Sequence, residues 1–132
     1  MFSFKKLIFG ETLEEKRIDV GEKFFAFIDR VLDIVRKDSE AKLGMEFYTA
    51  VSDAKTNVDR LINGFVEQFP VGSEVTYDES DYKGHVHKLH FYSYPLMLAV
   101  KNHPEIQHTD KAAVRKAYET FAAAAERKFG VV

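Results

Sequence analysis

The sequence predicts an all-α fold, an up-and-down bundle of four helices, and three observations carry that expectation. Apolar residues recur at steps of three and four through long stretches, helix-capping and helix-stopping residues separate those stretches, and no segment alternates cleanly enough to read as a strand. A single domain accommodates all of it, because 132 residues fall within the usual domain range of about 100 to 200. With 45% hydrophobic and 30% charged residues, including twelve phenylalanines and six tyrosines, the chain can fill one dense core and keep its outside hydrated.

The first helix is expected over residues 12–37. Ile18, Val20, Phe24, Phe25, Phe27, Ile28, Val31, Leu32, Ile34 and Val35 cover an arc of roughly 200° on a wheel of about 100° per residue, wider than a surface helix needs. Such a helix either sits deep among its neighbours or sets its spare edge, Ile18, Phe25 and Leu32, against a second copy of the chain, which makes a homodimer through helix one a partner expectation. The second helix is expected over residues 39–69, with Ser39 as N-cap and Pro70 as stop. Phe47, Val51, Ala54, Val58, Leu61, Phe65 and Phe69 form its core face, and Gly44 is the natural place for a break. Residues 70–81 read as a loop rich in turn formers and acids, with Ser80 as the cap of the third helix. The fourth helix has Thr109 as N-cap, Asp110 in the first turn, Arg127 and Lys128 in the last and Gly130 as stop, with Val114, Ala117, Tyr118, Phe121, Ala125 and Phe129 facing inward.

The third helix, from Tyr82 to about residue 102, is the contested one. Tyr82, Val86, Leu89, Leu96, Met97 and Val100 share a face, but Ser93 interrupts it and Pro95 predicts a kink or break between His90 and Tyr94. The aromatic content also fits a small hairpin around residues 74–94, which would make the fold α+β. Within that stretch GHVHKLHFYSYP, residues 84–95, holds three histidines. A helix lets only His87 and His90 approach one metal, and a strand pairs only His85 with His87, whereas zinc or iron needs three or four convergent ligands. The metal alternative therefore recruits His103 and His108 to His87 and His90. EIQH, residues 105–108, has a carboxylate-to-histidine spacing used in di-iron bundles, but it lies outside the expected helices, and the core faces of helices one and two carry no acid. No cofactor is expected.

Elimination sets the functional reading. A formal charge of −2 with a pI of about 6.2 supplies no field for phosphates, so nucleic acid is not an expected partner. No cysteine is present, which removes thiolate nucleophiles, disulfides and cysteine-ligated metals. Leu7, Ile8 and Phe9 form too short an apolar run for a signal peptide or a span, and the expectation is a cytoplasmic protein with no membrane partner. Phe2, Phe4 and Phe9 beside Lys5 and Lys6 would pack on the domain's own end rather than serve as a membrane foot. With no phosphate loop and no nucleophile elbow, the sequence argues for a non-enzymatic interaction or regulatory protein that binds another protein. The candidate contact residues are the acidic row Asp19, Glu22, Asp29 and Asp33 of helix one and the acidic cluster Asp78, Glu79 and Asp81 of the 74–94 region.

Overall fold

Thr12 opens the first helix with a reciprocal cap. Its hydroxyl accepts the Glu15 N–H at 3.1 Å and the Glu15 carboxylate accepts the Thr12 N–H at 3.4 Å, so two amides that the helix cannot satisfy itself are paired. The computed structural model describes residues 11–68 and 78–131, with the backbone alone at 65–68. The expected packing of Phe2, Phe4 and Phe9, the loop around Pro70 and the core roles of Phe65 and Phe69 lie outside the described residues and side chains.

Four helices follow in order: α1 Leu13–Lys37, α2 Met45–Gln68, α3 Glu79–Asn102 and α4 His108–Phe129. No strand occurs among the described residues. Val20, Phe24, Phe27, Val31 and Ile34 form the buried row of α1, at alternating steps of four and three, and make this helix central to the bundle.

The α1–α2 junction corrects one boundary. Ser39 does not cap α2; the chain turns at Asp38, whose carboxylate accepts the backbone N–H of Lys42 at 2.9 Å and of Leu43 at 3.0 Å and the Tyr48 hydroxyl at 2.7 Å. That turn consumes seven residues, 38–44, before α2 starts, and it has left-handed backbone at Ala41 (φ 53°) and Gly44 (φ 86°). Gly44 is thus the break between the helices, in the conformation glycine adopts without cost from a Cβ.

The hairpin alternative is overturned from residue 79 onward, while 74–77 lie outside the described residues. Asp78, not Ser80, is the N-cap of α3. Its carboxylate accepts the Asp81 N–H at 3.0 Å and that of Asp81 accepts the Asp78 N–H at 3.1 Å, which starts the helix three residues ahead of Tyr82. Tyr82, Val86, Leu89, Leu96 and Val100 are buried as expected, together with His85 and Ser93. Pro95 does not break the helix, since it stands on the exposed side, where the bond it cannot donate to Phe91 faces water. Ser93 fits the core by donating its hydroxyl to the His90 carbonyl at 2.9 Å.

Helix α4 begins one residue before Thr109, with Gln107 in the cap position and no side-chain cap bond. It ends at Gly130 (φ 68°), where the Gly130 N–H donates to the Glu126 carbonyl at 2.8 Å and the Val131 N–H to the Ala125 carbonyl at 3.2 Å. This closure folds Val131 into the core.

Cross-links fix the directions. Lys37 near the end of α1 meets Asp110 at the start of α4 at 2.8 Å, and Lys128 near the end of α4 meets Glu11 ahead of α1 at 2.5 Å, so the pair is antiparallel. Tyr82 donates to Glu14 at 2.9 Å, placing α3 parallel to α1, and the Phe47–His103 ring contact at 5.4 Å sets α2 antiparallel to α3. The order is up, down, up, down. The most extensive helix pairing is α1 with α4, and α3 touches all three other helices. Phe24 and Phe121, both fully buried, meet at 5.3 Å between centroids at the centre of the α1–α4 pairing.

Candidate functional site

The outer face of α3 departs furthest from ordinary surface chemistry. Phe91 is 72% exposed and Tyr94 46% exposed, although the same helix buries seven residues on its other side. The wheel explains the placement: positions 82, 86, 89, 93, 96 and 100 take the inner arc, so 87, 91 and 94 must face out. Phe91 stands over a small hollow between α2 and α3, about 280 Å³, lined by Ala54, Asn57 and Pro95 among others. On the α4 side Tyr94 lies 6.5 Å from the ring of Tyr118 and 6.4 Å from that of His90.

Tyr118 joins this aromatic group to a larger cleft. Its hydroxyl is hydrogen-bonded to His90 Nε2 at 3.0 Å, and its ring forms one wall of a groove of about 580 Å³ between the second half of α3 and the first half of α4. Val100 and Val114, both essentially fully buried, lie at its base beside Met97, and the exposed Ala112 stands at its edge. The rim carries Lys101, Lys111, Arg115 and His108 against one acid, Glu119. Lys111 is anchored by donating to the Lys101 carbonyl at 2.9 Å, and Arg115 reaches Glu119 only at 3.9 Å.

Sequence reasoning named His108 only as a metal ligand and did not single out Lys101, Lys111 or Arg115. Their signal was legible as a row, since His108, Lys111 and Arg115 are spaced by three and four on α4 and Met97 and Lys101 by four on α3. What could not be read is that α3 and α4 turn these two rows toward each other.

The acidic row of α1 is dispersed by pairing within the domain. Lys23 lies 2.5 Å from Asp19, and Lys128 lies 3.3 Å from the other oxygen of the same carboxylate; these partners, Lys23 first, hold its pKa below the usual value. Lys128 answers in kind: burial works against its charge, but Glu11 and Asp19 outweigh that and raise its pKa. Asp33 is shared by Arg30 at 3.3 Å and Arg36 at 3.0 Å. Glu22 and Asp29 are exposed and make no ion pair among the described residues. Asp78 and Asp81 form the α3 cap, and Glu79 sits in its first turn, where carboxylates complement the helix dipole.

The four histidines of the metal alternative do not converge. His87 is exposed, His90 is engaged with Tyr118, and His108 lies in the α3–α4 groove. His103 uses both ring nitrogens: Nε2 donates to the Leu43 carbonyl at 2.7 Å, and Nδ1 accepts the Glu105 N–H at 3.1 Å. Among the described residues no group of three or more histidine, aspartate or glutamate side chains is placed to hold a metal ion.

A second ionisable group, missed in the sequence, lies where α1 and α3 begin. Glu14 accepts from Tyr82 and pairs with Arg17, and the Arg17 hydrogen bond is the main reason its carboxyl titrates low. His85, only 6% exposed, has its pKa pushed down to about 4, first by burial and then by the charges of Arg17 and Lys88, with Glu14 opposing.

Comparison with protein-family models, with curated proteins and with solved structures finds no match.

Proposed function

We propose that this is a non-enzymatic interaction protein that holds a partner protein against the outer face of α3. The observation that carries the reading is the 72% exposure of Phe91 beside the 46% exposure of Tyr94. Large aromatics kept in water on a helix with a complete core face are the residue types that anchor protein interfaces, because each buries much area for little lost rotamer freedom. Both belong to the 74–94 stretch. Glu22 and Asp29 leave α1 a smaller acidic contact for a basic region of a partner. No helix among the described residues is long and apolar enough to cross a membrane.

The test is affinity capture with the intact chain, comparing it with a Phe91→Ser/Tyr94→Ser variant. Since both side chains are already in water, the variant should keep the parental unfolding midpoint and lose the captured partner. A partner retained equally by the variant, with folding intact, would remove α3 from consideration. Charge reversal of Asp29 with Glu22 in a separate variant reports the α1 contact.

A homodimer through α1 is a second reading, favoured by the exposure of Ile18 (47%) and Phe25 (46%), one heptad apart. Light scattering on the parent and on Phe25→Asp tests it; a monomeric parent at high concentration leaves that edge without a second copy.

A further inference from the structure

We infer that the α3–α4 groove is a binding site for a single-chain amphiphile with an anionic carboxylate head, a ligand of the fatty-acid class. The groove's volume, about 580 Å³, lies within the roughly 300–1,000 Å³ of small-ligand sites. Its chemistry is divided along its length. Toward the end of α3 and the start of α4 stand Lys101, His108 and Lys111, and farther along α4 come the Tyr118 ring and the last cation, Arg115. Met97 and Tyr118 supply accessible apolar lining, with the buried Val100 and Val114 at the base.

The cations of this rim are open to an anion. Asp110, at the start of α4, is held by Lys37 at 2.8 Å. Glu119 touches Arg115 only at 3.9 Å, and neither Lys101 nor Lys111 makes an ion pair among the described residues. Lys111 is also pre-positioned: its bond to the Lys101 carbonyl at 2.9 Å stretches it across the mouth and covers the negative end of α3. Two remaining ammonium donors on that nitrogen are left for a ligand. A carboxylate at this point receives Lys101 and Lys111 together, while its hydrocarbon chain runs over Val100 and Val114 toward Tyr118. A neutral alcohol of the same length meets the same apolar lining but answers none of the charge, and a cationic amphiphile is repelled.

The site is distinct from the α3 surface of the proposed function, although Tyr94 adjoins both through Tyr118, so each is tested with its own variants. Decanoate, decanol and decyltrimethylammonium are titrated into the full chain below their aggregation concentrations, by calorimetry and by amide chemical shifts. Decanoate is expected to bind saturably at one site, shifting Ala112 and Val114, with decanol at least several-fold weaker and the cation not bound. Lys101→Met and Lys111→Met keep the aliphatic stems and remove the charge. Together they should weaken decanoate by about tenfold, as expected for two partly exposed ion pairs, while leaving decanol unchanged. Phe91→Ser should leave decanoate binding as in the parent. The inference is overturned if decanol binds as well as decanoate, if the double variant binds decanoate unchanged, or if decanoate shows no saturable binding. Should the double variant lose its helical circular dichroism, Lys101→Met alone, at an exposed position, decides the question by the same criterion.

Discussion

Replacing His85 with leucine should flatten the acid side of the stability curve. In the folded chain burial and the charges of Arg17 and Lys88, only partly offset by Glu14, lower the His85 pKa from 6.5 to about 4. The unfolded chain therefore binds the proton first, and stability falls as pH drops through the window between those two values. With 1.36 kcal/mol per pKa unit, the folded state loses about 1.4 kcal/mol by pH 5.5 and about 2 kcal/mol by pH 5, relative to neutral pH. Leucine has no proton to take up and suits the apolar side of the pocket, so the variant should lose most of that slope. His90 supplies the remainder, since burial and His87 lower its pKa too. Depressed carboxylates such as Glu14 and Asp19 contribute stability above their unfolded pKa values and lose it only at lower pH. Urea unfolding at pH 7.0, 5.5 and 5.0 measures the difference directly. An unchanged loss between pH 7.0 and 5.0 in His85→Leu would refute the reasoning.

Phe24→Ala removes a fully buried ring at the α1–α4 contact and should cost about 3–5 kcal/mol in denaturant unfolding; a cost below about 1 kcal/mol would show that the ring is not enclosed. Gly44→Ala meets no neighbouring atom within 4 Å, so its penalty is the left-handed backbone alone, about 1–2 kcal/mol. Ala41→Gly in the same turn (φ 53°) should have the opposite sign, a gain of about 0.5–1 kcal/mol once the added freedom of the unfolded chain is subtracted. Pro95→Ala gives the Phe91 carbonyl a donor and should raise the melting temperature by a few degrees; a fall would mean that the proline ring itself is needed for packing.

Much of the bundle was legible because core periodicity and caps are local. The start of α1 near residue 12, the stop at Gly130 and most buried positions follow from local residue type and spacing. Boundaries were misplaced where two acceptors competed. Asp38 captured the junction that Ser39 was expected to cap, because its carboxylate gathers three donors at once, and Asp78 outran Ser80 because Asp81 returns its hydrogen bond. Pro95 misled for a different reason: its cost depends on which side of the helix it occupies, and Ser93 and His85 had to be seen inside before that side was known. The acidic row of α1 was readable as a stripe, but its partner Lys128 comes from more than a hundred residues away. The basic rim was hidden similarly, because complementary rows on two helices become one groove only through their crossing.

The dominance of the α1–α4 pairing bears on how the chain is made. Val20, Phe24 and Phe27 obtain much of their cover from α4, so a growing polypeptide that has not yet released residues 108–129 from the ribosome presents these side chains partly bare. Productive collapse must then wait for translation to reach that helix.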